Sequence, residues 1–414
     1  MTITPTLSRR GFLGSASLIG LGAATGATLP ILDAAPAAMA QEATSAAPAA
    51  FSFPGKDPGL TLLGDRPLVA ETPENLLDDD TTPISKFFIR NNGNPPEEPA
   101  DPDTWPLRIE GFVDTPLDLT LASLKSDYTA HTYRMVLECG GNGRAFFDPP
   151  ARGNQWTNGG AGCAEWTGVR LADLLNAAGV KPEGIYTAHY GADTHLSGDT
   201  DKQPLSRGMP IDKAMEEHTL VVWEMNGEPL PAIHGGPLRL LVPGWPGSLS
   251  HKWLTRIEIR DVEHDGQGMT GTSYRLPIKP MIPGSEPDPE NFRILESMPL
   301  RGIITSPANG ATFDADTREI ELRGAAWYGD KTVTGVDVST DFGATWHPME
   351  LAELRNRYDW RRWTGRVELP GDGYYEIWAR ATGDDGTMQP HLAGNWNPQG
   401  YGGNPMQRIA ILVG

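Results

Sequence analysis

Cys139 stands in the run Leu137-Glu138-Cys139-Gly140-Gly141-Asn142-Gly143-Arg144. A thiolate is a soft ligand, suited to a soft or high-valent metal centre. Glycines beside it let the backbone come close to a bulky group. Arg144, close behind in the chain, offers planar donors to an oxyanion. Spacing alone does not separate this reading from the commoner one, an inert buried cysteine.

Three further segments carry donors suited to an anion. Arg90 ends the apolar run Lys86-Phe87-Phe88-Ile89 and precedes Asn91-Asn92-Gly93-Asn94. An arginine there can bind an anion, or pair with a surface carboxylate. His234 and Arg239 flank Gly235-Gly236-Pro237-Leu238, two donors around glycines that permit close approach. A lone histidine is more often structural. Gly244 to Trp253 is a Gly/Ser loop that includes Ser250, His251 and Lys252, again favourable to an anion.

Elements must hold these residues in place. The chain has 414 residues, too many for one ordinary core, so two domains plus a leader are expected. Its 48 glycines and 37 prolines favour turns and short strands over long helices. Leu107–Gly111, Leu238–Pro243 and Arg256–Ile259 read as strands. Leu117–Leu124 reads as a short helix region capped by Thr120, and Val169–Gly179 as an amphipathic helix closed by Gly179. Residues 280–299 form a proline- and charge-rich linker. Beyond it, Thr317–Ala326, Val333–Thr340, Trp363–Leu369, Gly373–Ala381 and Gln407–Val413 alternate as the strands of a β-sandwich.

The first 40 residues read as a targeting segment. Ser8-Arg9-Arg10-Gly11-Phe12-Leu13 is a twin-arginine signature, followed by a weakly apolar stretch and the cleavage-like Ala38-Met39-Ala40. Export to the periplasm is expected, with no membrane anchor after cleavage. Residues 41–60 are Ala/Ser/Pro-rich and read as loose, within an N-terminal arm over 41–80. A net charge of -19 argues against nucleic acid and favours a basic protein partner. With two cysteines there is no disulfide framework and no Cys-x-x-Cys-His haem motif.

Taken in order, these segments resemble the sulfite oxidase family. The resemblance rests on Phe87 to Asn92, Leu137 to Asn142, Trp223-Glu224-Met225-Asn226-Gly227, His234 to Pro243 and Lys252-Trp253-Leu254. It continues in Gly324-Ala325-Ala326-Trp327, Val336-Asp337-Val338-Ser339 and Gly343-Ala344-Thr345-Trp346, so it covers about residues 81 to 414. It implies an α+β chain: a mixed α/β molybdenum cofactor-binding domain over 81–285, then an immunoglobulin-like β-sandwich that dimerises over 295–414. It implies a molybdenum held by a pterin dithiolene (molybdopterin) and by Cys139, the metal ligand. Phe88, Ile89, Arg90, Asn91 and Asn92 would form one wall of the cofactor pocket. Asp193, His234, Arg239, Ser250, His251 and Lys252 would contact the pterin and its phosphate. Arg90, Arg144 and Trp156 would line the sulfite pocket, with Tyr274 the active-site tyrosine.

Two departures stand out. Animal members carry histidine where this chain has Asn92, and an anion-binding arginine where it has Gln399. Cys163 matches no family ligand and is expected to be buried and inert. The implied activity is oxidation of sulfite to sulfate, with electrons leaving to a c-type cytochrome because no haem is expected on this chain. A homodimer is implied. The alternatives are a sulfane-sulfur dehydrogenase subunit and, outside enzymes, a secreted binding protein.

Overall fold

Phe51 and Leu60 are buried against Ala70 and Ile89, so the chain is folded well before the expected end of its arm. The structure, a computed structural model, describes residues 51–414. The twin-arginine signature lies outside the described residues. The expectation of a loose stretch over 41–60 is corrected for residues 51–60: scattered apolar residues in a Pro/Gly-rich stretch join a core. Strand Leu68–Glu71 pairs with Thr61–Asp65 on one side and with Ile89–Arg90 on the other. The expected strand over Lys86–Arg90 is correspondingly short, because Pro83 opens a 3₁₀ turn over Ile84–Lys86.

Two antiparallel-dominated sheets build the rest of the first half. One runs Glu228–Pro229, Leu220–Met225, Ala161–Arg170, Ala130–Glu138, with Arg239–Leu241 also on Leu220–Met225. The other runs Leu117–Thr120, Pro106–Gly111, Leu254–Arg260, Tyr186–Gly191, its one parallel pair being Pro106–Gly111 with Leu254–Arg260. Leu121–Asp127 is a helix capped by Thr120, whose hydroxyl accepts from Ser123 N while Ser123 Oγ accepts from Thr120 N. Leu117–Thr120, which leads into that cap, is a strand; its alternating exposure fits an edge. Leu171–Ala178 is a helix that buries four residues between the sheets and ends on Gly179 at φ 69, a left-handed cap. Among the described residues no helix is long and apolar enough to cross a membrane.

From Arg301 the chain forms two sheets around a second core. Their orders are Arg301–Ser306, Glu319–Trp327, Arg361–Glu368, Glu350–Leu351, and Ala311–Phe313, Gln407–Val413, Gly373–Gly383, Val333–Ser339, His347–Pro348. Alternating residues such as Ile320, Leu322, Val336, Val338 and Ile377 meet between them. The expected linker is only partly a linker. Phe292–Ile294 pairs with Arg275–Pro277, and Leu295 and Met298 are buried.

Candidate functional site

Three strand ends converge on one cavity. Cys139 follows the strand Ala130–Glu138, Asn91 and Asn92 follow Ile89–Arg90, and Asp193 follows Tyr186–Gly191. Side chains at the ends of strands are aimed by the sheet and freed from its ladder, which suits a site. Loop 234–253 and Tyr274 complete the lining. Gly235 sits at φ 100, and a Cβ on Gly236 would lie 1.9 Å from Leu230 O. Only glycine lets this loop fold so tightly against its neighbour.

Cys139 is half-buried, its N–H donating to Gly160 O at 2.8 Å and its carbonyl accepting from Asn142 N at 2.9 Å. Its sulfur therefore sits on a backbone fixed at both ends. The cavity has an unusual charge pattern. Lys252 Nζ donates to Asn91 Oδ1 and Ile233 O, each at 2.7 Å. Arg239 donates to His234 O and Ser250 O, each at 2.7 Å. Lys56 Nζ donates to Ile84 O and Phe87 O and lies 2.5 Å from His234 Nε2. Neither these cations nor Arg90 meets a carboxylate within ion-pair distance among the described residues. Burial pushes Lys56 down to about 7 and Arg239 to about 9; it lowers Lys252 as well, with Arg239, Lys56 and Arg90 adding to it and Asp193 opposing. His234 falls well below its usual value, first through burial and then through Lys56, Lys252 and Arg239. The same burial pushes Asp193 up to about 6, Lys252 opposing it.

Such a cavity is built for an anionic, oxygen-rich occupant. Several donors there are buried and unpartnered: Arg90 Nη1, Arg239 Nε, Ser248 Oγ and His251 Nδ1. Orphaned donors are costly to bury unless something accepts from them. One thiol, several basic side chains without a carboxylate partner and the orphaned donors all fit a metal carried on a phosphorylated organic cofactor.

Comparison with known proteins bears on which cofactor. Residues 92–268 match the family described as oxidoreductase molybdopterin binding domain, and residues 293–414 match the Mo-co oxidoreductase dimerisation domain. The chain is 32% identical to the mitochondrial sulfite oxidase of Drosophila melanogaster over 369 residues, 84% of this chain and 62% of that protein. It is 31% identical to the mitochondrial sulfite oxidase of Rattus norvegicus over 378 residues, 87% of this chain and 67% of that protein. The chain belongs to the sulfite oxidase family. The crystal structure of the sulfane dehydrogenase SoxCD from Paracoccus pantotrophus superposes with a TM-score of 0.69 at 26% identity, covering 89% of this chain and 92% of that one.

Most of the site residues expected of a sulfite oxidase family member come together. Phe88, Arg90, Asn91, Asn92, Cys139 and Asp193 line the cavity, as do His234, Arg239, Ser250, His251, Lys252 and Tyr274. Three expected residues stand behind the wall instead. Ile89 is fully buried in the N-terminal core, because alternation along the strand turns it away from its neighbours. Trp156 is fully buried and meets Phe88 edge to face at 5.9 Å. Arg144 donates to Gln399 O at 2.7 Å and Asn154 O at 2.9 Å. Gln399 thus holds Arg144 by its backbone carbonyl. Cys163 is buried, its thiol 3.3 Å from Asp359 Oδ1 and pushed up by burial.

Lys56 had no signal in the sequence. In Pro54-Gly55-Lys56-Asp57-Pro58 it reads as a surface lysine in a turn, and its partner His234 is 178 residues away. Ser248 lay inside a run already marked as anion-friendly. Leu205, on the cavity wall, and Arg207, over the Tyr274 ring, were flagged by nothing local.

Proposed function

We propose that this chain is a molybdenum-dependent enzyme that oxidises sulfite to sulfate. One observation carries the reading: a single thiol, Cys139, shares a cavity with buried cations that have no carboxylate partner. In net terms sulfite and water give sulfate, two protons and two electrons. A molybdenum–molybdopterin cofactor, when bound, supplies the two-electron chemistry. Cys139 would be its protein ligand. Arg239, Lys252 and His234, with Lys56 behind, would hold its anionic part. Arg90, with an unpartnered Nη1, would hold the substrate anion against the repulsion of an acidic chain by charge-assisted hydrogen bonds. Tyr274, which also lines the cavity, would offer its hydroxyl to a reacting oxygen.

The second reading is a sulfane dehydrogenase subunit, favoured by the likeness to SoxCD over nearly the whole of both chains. The relatives at 31–32% identity favour sulfite. Purified protein assayed with sulfite and with thiosulfate, using ferricyanide and a c-type cytochrome as acceptors, separates the two. Turnover of neither substrate by molybdenum-loaded protein would reject both, and a chain purified without molybdenum would favour a secreted binding protein.

The remaining parts of the reading follow from sequence and family. Export by the twin-arginine route places the enzyme in the periplasm, where a basic c-type cytochrome takes its electrons. The C-terminal domain, whose sheet orders support an immunoglobulin-like sandwich, makes a homodimer with two-fold symmetry. Light scattering that gives a monomer with full activity would reject the dimer.

A further inference from the structure

Arg207 is a buried charge that the proposed chemistry does not use. It is completely buried and meets no carboxylate within ion-pair distance among the described residues. Its Nη1 donates to Gly268 O at 2.9 Å, while Nε and Nη2 are buried without a hydrogen-bond partner. Burying a guanidinium in this way is costly and pulls it down to about 10. Its compensation is aromatic. The guanidinium carbon lies 4.5 Å from the centre of the Tyr274 ring. Tyr274 stacks on Tyr401 at 4.8 Å with 22° between planes, and Arg144 covers the Tyr401 ring at 5.3 Å.

Four side chains from distant parts of the chain thus form a stack of cation, ring, ring and cation. Tyr274 is the member that lines the cavity. A Cβ on Gly140, the residue after Cys139, would lie 3.4 Å from Tyr274 Cδ1, so the ring rests against the thiol's own loop. Tyr274 also sits at φ 48, a left-handed conformation that a bulky residue keeps only when its surroundings enforce it. A desolvated cation over a ring face is among the stronger such constraints.

We propose that Arg207 is a positioning residue: its guanidinium closes the outer face of the Tyr274–Tyr401 stack and so sets where the Tyr274 hydroxyl stands in the cavity. The kinetic consequence rests on the sulfite reading; the geometric one does not.

The test is ¹⁹F NMR on the holoenzyme labelled with 3-fluorotyrosine, the Tyr274 resonance being identified by its loss in Tyr274→Phe. Arg207→Met keeps the length of the side chain and removes the cation. It should shift or broaden the Tyr274 resonance while tyrosines outside the stack, such as Tyr328, stay in place. Arg207→Lys should return it part of the way. In sulfite assays Arg207→Met should lower kcat about ten-fold, the size of one misplaced hydrogen bond, with KM little changed. Added to Tyr274→Phe it should cost nothing further, because both changes remove one contribution. An unmoved Tyr274 resonance overturns the proposal, as do losses that add in the double variant. So does a general shift of all tyrosines with a lowered Tm, which marks a merely structural arginine. If Arg207→Met does not fold, Arg207→Lys decides by the same resonance. If the enzyme does not turn over sulfite, the NMR result still stands or fails alone.

Discussion

Arg301 Nε lies 2.8 Å from Glu138 Oε1, and both side chains are almost wholly buried. Glu138 directly precedes Cys139, whereas Arg301 opens the first strand of the C-terminal domain. The pair is further tied in. Glu138 Oε1 accepts from Asn142 Nδ2 at 2.9 Å, its Oε2 accepts from Trp327 Nε1 at 2.7 Å, and Arg301 donates to Asn142 O and Asn158 Oδ1. The thiol loop is thus held from the second domain.

Breaking this pair from one side should be severe. Arg301→Met leaves a buried carboxylate unpaired, at a cost of about 3–5 kcal/mol. The expected result is a much lower Tm together with loss of molybdenum from purified protein. Glu138→Gln with Arg301→Met should regain part of the stability, since neither charge is then stranded. Calorimetry and metal analysis of the two variants check this; a double variant no better than Arg301→Met contradicts it.

Cys139→Ser should yield folded protein without activity. A hydroxyl is a poor replacement for a thiolate toward a soft metal, and Cys139 is only half-buried, so packing loses little. Wild-type protein should hold about one molybdenum per chain, one thiolate serving one site. Activity surviving in Cys139→Ser would remove the cysteine from the metal site.

Arg90 and Arg144 should respond differently. Arg90 has a buried, unpartnered Nη1 in the cavity, so Arg90→Gln should cost roughly 1.5–3 kcal/mol in kcat/KM for sulfite, with Tm unchanged. Arg144 spends its donors on Gln399 O and Asn154 O. Arg144→Gln should therefore lower Tm by about 2–4 °C per kcal/mol lost as well as weaken sulfite turnover. Steady-state kinetics beside thermal melts settle it, and wild-type kinetics in both variants would leave no support for an anion site.

Lys56 carries a pH signature. Its folded value is lowered from 10.5 to about 7 by burial. Between those values the unfolded chain holds a proton that the folded chain does not, so stability should rise with pH from about 7 towards 10.5 and gain nothing from this group below 7. In protein prepared without cofactor, the Tm gain from about pH 7 to about pH 9 should be smaller in Lys56→Met than in wild type. Equal gains would show that Lys56 is not held neutral beside His234.

The sequence by itself already determined most of the second domain and, through its family resemblance, named most of the residues that line the cavity. Strands such as Val333–Ser339 and Gln407–Val413 have one face in the core and one outward, so alternation exposes them to reading. Helix Leu171–Ala178 was equally legible because Gly179 marks its end. Ala130–Glu138 and Ala161–Arg170 were not: their inner halves are buried on both faces and show no alternation. Cys139, Arg239 and Lys252 were legible as residue types in motifs. Only the tertiary structure decided that Lys56 meets His234, that Trp156 stands behind Phe88, and that Arg207 and Arg144 enclose two stacked tyrosines. Those contacts join residues far apart in the chain, and a long-range contact leaves no periodicity, cap or turn for a local reading to find.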